Sequence, residues 1–264
     1  MMVESYSKAD SHTSMTSKNS NSGNDDNGKV RLSKVMSMRG MCSRREADSF
    51  IEHGLVKVDG EIVKILGSRV HPDCTIEIIG DAKDYLDEQV TIVLNKPRDF
   101  VSSQPEDGYI SALELIREEN YYGDGFVDIR RAGLAPLGRL DIDSTGLILY
   151  SQSGVLAKKI IGDRTEIEKE YEVNVIGDIT DKALGLLEHG LELDGVVLKK
   201  AKITQLSNSK MIFVLKQGRK RQIRRMCELV GLKVRRIHRM RVGKLTIEGM
   251  PEGTWRIVQP SEIL

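Results

Sequence analysis

Apolar positions along the chain change rhythm several times, and each rhythm predicts an element. Residues 1–28 are rich in Ser and Asn and nearly empty of large apolar groups, so they are expected to form a disordered polar tail. From Lys29 onward Leu32, Val35 and Met36 recur at helical spacing, and Arg39-Gly40 ends that helix. Ser43-Arg44-Arg45-Glu46 then reads as a capping box, in which the serine side chain and the glutamate each satisfy a free amide. It opens a second helix with Ala47, Phe50 and Ile51 as its apolar stripe and Gly54 as its terminator. Val56–Val58, Asp59-Gly60 and Glu61–Val63 spell a hairpin with a favoured two-residue turn. Residues 29–80 thus form a compact module of two helices and a small sheet. Residues 81–88, polar and acidic, read as a linker, and residues 89–264 as a second domain.

In that domain Val90–Asn95 is a buried-strand run ending at Lys96-Pro97, and Leu147–Tyr150 is another. Val155, Leu156 and Lys158–Ile161 suggest a helix capped by Ser153 or Gly154. Tyr171–Val175 alternates as a strand does. Thr180 can cap a helix carrying Ala183, Leu184, Leu186 and Leu187, closed by Gly190. Ile212–Leu215 is a strand, and Ile223, Met226, Cys227 and Val230 form the stripe of an amphipathic helix. Neither a repeat nor a GxGxxG stretch occurs, so nothing announces a dinucleotide or nucleoside-triphosphate site.

Composition narrows the class. At 264 residues the chain holds one large domain or two modest ones, and no apolar run approaches the ~20 residues of a membrane span. The N-terminus lacks the apolar core of a secretory signal, and its acidic residues argue against a transit peptide. Cys42, Cys74 and Cys227 are odd in number with no Cys-x-x-Cys pair, and the five histidines are scattered. That pattern suits a reducing cytoplasm and excludes a recognisable zinc or disulfide framework. The net charge of +1 conceals two concentrated basic segments. Lys29–Arg45 carries six basic residues and no acidic one, and Lys216–Lys244 carries twelve Lys or Arg against the single Glu228. Two such segments are an electrostatic footprint for nucleic acid.

The stretch GRLDIDSTGLILY, residues 138–150, crowds Asp141, Asp143, Arg139 and two hydroxyls into a glycine-bounded turn ahead of an apolar strand. Taken alone it is turn chemistry, since Asp is a common turn former. Its company changes that reading. LSKVMSMRGMCSRREADSFIEHGLVKVDGEIV resembles an S4 RNA-binding domain. LNKPRDFVSS, GRLDIDSTGL, Lys169-Glu170-Tyr171 and QGRKRQIRRMCELVGLKVRRIHRMRVG follow in the order found in RsuA-type pseudouridine synthases. The resemblance runs from about Lys29 to Trp255, and QIRRMCELVGLKV is most similar to the branch acting on large-subunit rRNA.

The resemblance implies an α+β protein: a small αα-β RNA-binding domain, then a synthase domain with a mixed, mostly antiparallel central sheet. It implies isomerisation of uridine in structured RNA after the base is flipped out. Breaking N1–C1′, turning the uracil, joining C5 to C1′ and removing the C5 proton involves no net redox change or hydrolysis, so no cofactor or metal is expected. An ionised carboxylate must act at C1′, as one does at the oxocarbenium centre of glycosidases, and the resemblance places that role on Asp141. Asp143 is then a turn or capping residue. Arg224 would keep Asp141 ionised, and Tyr171 would stack on the uracil and assist removal of the C5 proton. Arg139 would help hold the RNA open, because extrusion costs a few kcal/mol. Lys96 and Pro97 are motif residues without an assigned role.

Arg31, Lys34, Arg39, Arg44 and Arg45 of the first module suit phosphate contacts, and Lys220, Arg221, Arg225, Arg235, Arg236 and Arg239 would line the RNA path of the second. The chain departs from the family at Tyr150-Ser151-Gln152-Ser153-Gly154, where relatives commonly carry Leu-Thr-Asn-Asp-Gly, and this bears on substrate choice. The expected partner is large-subunit rRNA, with small-subunit rRNA and tRNA as alternatives, and the expected state is a cytoplasmic monomer. Two other readings compete: a non-catalytic ribosome-assembly factor, and a hydrolase using Asp141 or Asp143. The first would be favoured by loss of Asp141, Tyr171 or Arg224, all of which are present. The second lacks a paired carboxylate at recognisable spacing, a metal cluster and a nucleophile elbow.

Overall fold

A computed structural model of the chain describes residues 28–103, 105, 108–125, 131–162 and 165–264. Apart from Gly28, the tail expected to be disordered lies outside them. The first module contains helices α1 (Leu32–Met38) and α2 (Arg44–Glu52) and strands β1 (Val56–Val58), β2 (Glu61–Ile62) and β3 (Ile76–Ile78), in the sheet order β2-β1-β3. The capping box forms as read: Glu46 N donates to Ser43 Oγ at 3.2 Å, and Ser43 N donates to Glu46 Oε2 at 2.6 Å. Asp59 and Gly60 both take positive φ, 49° and 89°, as the two central residues of a tight hairpin turn require. Leu32, Val35, Met36, Ala47, Phe50, Ile51, Val56 and Ile76 close a small core of their own.

The acidic connector is ordered. Asp81–Asp87 forms helix α3, and its Ala82 and Leu86 pack into the first module's core. The linker is thus helical, and Asp81 and Asp84 sit in its first turn, where acidic side chains stabilise a helix.

The second unit is built on one large mixed sheet. Along its main path run β4 (Thr91–Lys96), β5 (Thr145–Ser151), β6 (Lys169–Ile176), β7 (Lys202–Ser207), β8 (Lys210–Leu215), β9 (Lys233–Val242) and β10 (Trp255–Ile257), in the order β7-β8-β6-β9-β5-β4-β10, with two short strands pairing off it. Every adjacent pair along that path is antiparallel except β5 with β9. Helices α4 (Gly154–Ile161), α5 (Asp181–Glu188), α6 (Gln222–Leu229) and α7 (Pro260–Ile263) flank it. β5 is buried along its whole length, which explains its unbroken apolar run. Ile148 and Tyr150 join the core on one face, and Leu147 and Leu149 the core on the other. Ser153 and Thr180 cap α4 and α5 as read, accepting from Leu156 N and Ala183 N.

β9 carries two irregularities against β6. Met240 has no partner between the pairs Glu170–Arg241 and Tyr171–Arg239, and Arg235 has none between Asn174–Arg236 and Val175–Val234. Such bulges re-aim side chains at the edge of a site. The two units touch. Gln89 Nε2 donates to Glu46 Oε1 at 2.5 Å, and Lys158 Nζ donates to the Ser37 carbonyl at 3.3 Å.

Candidate active site

The turn carrying Asp141 is held from several directions. Leu140 N donates to Ser102 Oγ at 2.9 Å, and Ser102 Oγ donates back to the Leu140 carbonyl at 2.7 Å. Tyr150 of β5 donates its hydroxyl to the Ser102 carbonyl at 2.9 Å. Ser144 N closes the turn onto the Asp141 carbonyl, and Asp99 N donates to the Ile142 carbonyl. A carboxylate on so braced a loop is pre-positioned, which is what chemistry at a fixed atom demands. Asp141 itself stays 30% exposed and open to a substrate.

Arg224 rises from α6, whose buried stripe includes Ile223, Arg224, Met226 and Cys227. Its side chain is 7% exposed, and its Nε lies 3.8 Å from Asp141 Oδ2 without a hydrogen-bond partner. Its Nη2 is closer to the other carboxylate, 2.9 Å from Asp143 Oδ1, though out of line for a hydrogen bond. Arg221 stands at the mouth, with Nη1 3.9 Å from Asp141 and 3.7 Å from Asp143. It precedes α6 with φ of 51°, a left-handed conformation that is uncommon for a side-chain-bearing residue. Two guanidiniums therefore face two carboxylates. Asp143 is the residue that the sequence reading underrated; the only signal for it was its place two residues after Asp141.

Tyr171 is buried on β6 and faces the larger core. It pairs with Arg239 on β9, which in turn pairs with Gly146 on β5, just beyond the turn that carries Asp141. Tyr171 and Gly146 are thus two strand spacings apart, about 10 Å. Gly146 is required there: a Cβ would meet the Arg239 carbonyl oxygen at 2.3 Å.

Arg239 departs from the expected role. It was expected on the RNA path, but it is only 3% exposed, donating from Nε to the Leu147 carbonyl at 2.6 Å with its Cζ 6.0 Å from the Tyr171 ring centre. A buried guanidinium in this position supports the tyrosine rather than touching a phosphate. Lys96 is fully buried, donating to the Pro97 and Phe100 carbonyls at 2.9 and 2.8 Å. Burial lowers its pKa to about 8. Lys169, likewise buried, donates to the Ile160 carbonyl at 3.1 Å and is also lowered to about 8 by burial.

The remaining basic candidates lie on the outside. Arg31, Lys34, Arg39, Arg44 and Arg45 are exposed on the first module, as are Arg139, Lys220, Arg235 and Arg236 on the second. Arg39 donates to the Pro72 carbonyl, and Arg236 reaches Glu252 at 3.1 Å. Arg225 is engaged by a bidentate pair with Asp194, at 2.8 and 2.6 Å. Among the described residues no group of His, Cys, Asp and Glu could hold a metal ion.

Comparison with known proteins places this geometry. Residues 30–76 match the S4 domain family, and residues 90–229 match the family described as RNA pseudouridylate synthase. The chain belongs to the RNA pseudouridylate synthases. The synthase is 36% identical over 237 residues to the dual-specificity RNA pseudouridine synthase RluF of Escherichia coli K12, covering 89% of this chain and 77% of that one. It is 34% identical over 239 residues to the ribosomal large subunit pseudouridine synthase B of Bacillus subtilis, covering 88% and 93%. A solved pseudouridylate synthase structure superposes with a TM-score of 0.61 at 27% identity, covering 89% of this chain and 98% of that one. The α+β fold and the S4-then-synthase order read from the motifs are those found. No described helix is long and apolar enough to cross a membrane.

Proposed function

We propose that this synthase isomerises a uridine of large-subunit ribosomal RNA to pseudouridine, with Asp141 acting at C1′ of the flipped nucleotide. The observation that carries the reading is Asp141 itself: a half-open carboxylate on a turn braced by Ser102, facing the buried Arg224. When N1–C1′ breaks, the carboxylate balances positive charge on the ribose carbon or bonds to it. The uracil turns in place, C5 bonds to C1′, the proton leaves C5 and N1 is protonated. The Arg224 guanidinium faces Asp141 at 3.8 Å, and Tyr171, beside Arg239, offers its ring to the uracil and assists removal of the C5 proton. Residues 29–80 serve as the RNA-binding module and 89–264 as the catalytic domain, joined by the ordered connector. The choice of large-subunit rRNA rests on the RNA named for the Bacillus subtilis relative. On this reading the synthase works as a monomer in the cytoplasm.

The test is C5-tritium release from labelled large-subunit rRNA, with wild type and Asp141→Asn side by side and small-subunit rRNA and tRNA as parallel substrates. Release by wild type, none by the variant and retained RNA binding is the expected result. Equal release by both proteins would remove Asp141 from the mechanism. Release from tRNA or small-subunit rRNA alone would replace the substrate.

A further inference from the structure

Beside the turn that carries Asp141 lies a cavity of about 500 Å³. Arg98, Asp143, Thr145, Arg235, Arg236 and Glu252 line it. Its walls come from four separate parts of the chain. Arg98 sits in the turn after β4, which is tied to the catalytic loop by Asp99 N donating to the Ile142 carbonyl. Thr145 opens β5, and its hydroxyl lies 2.8 Å from His238 Nδ1. Arg235 is the unpaired residue of the β9 bulge, which turns it out of the register that its neighbours keep. Glu252 stands in the turn before β10.

Charge decides what can occupy the cavity. Both of its carboxylates are already committed, Asp143 to Arg224 and Glu252 to Arg236. Among the described residues Arg98 has only a loose 4.0 Å ion pair, with the exposed Asp99. Arg235 has no anionic partner among the described residues. The cavity therefore holds cationic capacity that the protein does not neutralise, and the ligand that satisfies it is an anion able to take guanidinium hydrogen bonds from two sides. Asp143 forms one wall and is two residues from Asp141, so the cavity adjoins the turn that carries Asp141.

We propose that this cavity seats the backbone phosphate adjoining the flipped uridine, held by Arg98 and Arg235, and that Glu252 competes with that phosphate for Arg236. The proposal rests on the synthase reading. It assigns Arg98 a role that no sequence motif gave it. It also gives Glu252 a reason to stand in a cationic cavity: masking Arg236 weakens capture of RNA that does not present a phosphate at this point.

The two halves of the proposal predict opposite effects. Arg98→Ala and Arg235→Ala should each raise KM about tenfold, the loss of one charge-assisted contact. Each should also flatten the dependence of log KM on log salt by about one counterion. Glu252→Gln should lower KM and steepen the same dependence. Lys182→Ala, an exposed cation on α5 away from the cavity, serves as the control. KM comes from tritium release on large-subunit rRNA between 50 and 200 mM salt, the range in which phosphate contacts lose most affinity. Binding of the same RNA is measured in parallel in the Asp141→Asn background, with thermal melts to confirm folding. Wild-type KM and salt slope in both arginine variants would overturn the phosphate seat, and a raised KM in Glu252→Gln would overturn the competition. If wild type released no tritium from any RNA while the arginine variants still weakened binding, the synthase reading would fall and with it the placement beside a flipped uridine, leaving a phosphate contact at Arg98 and Arg235.

Discussion

At the scale of single residues, the site is a balance of two carboxylates against two guanidiniums, and Asp143 sits at its pivot. Asp143 is the nearer anion to Arg224, so neutralising it leaves a buried cation facing Asp141 alone at 3.8 Å. Asp143→Asn should lower the saturated rate of tritium release by roughly ten- to a hundredfold, as expected when a positioning contact is lost. It should cost about 1–2 kcal/mol of stability in urea melts, a figure discounted for the exposure of the carboxylate. A variant with wild-type turnover would show that Arg224 needs no second anion. Asp141, Tyr171 and Arg224 could be named as candidates from the sequence because each stands in a separate motif, and the structure brings Arg224 to 3.8 Å from Asp141. The placements of Asp143 and Arg239 were not legible, because motif spacing reports neither which of two nearby carboxylates an arginine reaches nor whether a basic side chain points into a sheet.

Lys169 offers a second residue-scale test with a definite sign. Burial lowers its pKa to about 8 from an ordinary 10.5. Between those values the unfolded chain binds more protons than the folded one, so folding stability rises with pH through this window. Below about pH 8 the folded protein carries the full penalty of a buried ammonium. Lys169→Met has no such group. The stability of wild type relative to this variant should therefore climb as pH rises from about 8 to about 10.5, by no more than about 3 kcal/mol. Paired denaturation curves at the two ends of the window measure it. A constant difference would mean that Lys169 titrates normally.

At the scale of elements, the one parallel junction of the sheet's main path carries the site. β5 and β9 meet only at Thr145–His238 and Gly146–Arg239, and Gly146 lets the Arg239 backbone approach at a φ of 105°. Gly146→Ala must push those strands apart or strain the turn, at a cost of about 3 kcal/mol. Turnover should fall further than stability does, since the same junction joins the strand carrying Tyr171, through Arg239, to the strand that follows the Asp141 turn. Urea melts and saturated tritium release separate the two effects. The local elements were readable because capping boxes, Asp-Gly turns and apolar runs act within a few residues. Which strands become neighbours was not, because the sheet order joins strands far apart in sequence. That the acidic connector is helical was not readable for a related reason: its helix is held by Ala82 and Leu86 docking on the first module, a contact that local polarity does not show.

At the scale of the whole molecule, the two units meet helix end to helix end. Gly154, the first residue of α4, faces Ser43, the cap of α2. A Cβ on Gly154 would lie 2.4 Å from Ser43 Cβ and 2.9 Å from its Oγ. Ser43 Cβ is fixed by its own backbone and by the capping box, so it cannot swing aside. Glu46 completes that box and also accepts from Gln89 at the start of the catalytic domain. One small cluster thus caps a helix and joins the two units. Gly154→Ala should force the first module away from α4 while leaving the braced Asp141 turn intact. The consequence should be a raised KM for structured RNA that spans both units. A short stem-loop that engages only the catalytic cleft should react as it does with wild type. Ser43→Ala provides the contrast: it removes the cap, at about 1 kcal/mol, without adding bulk at the junction, so its KM for the long RNA should stay close to that of wild type. If both variants gave wild-type KM on the long substrate, the contact would be incidental to how the two units grip RNA. If Gly154→Ala alone raised it, the angle between them would be part of substrate selection.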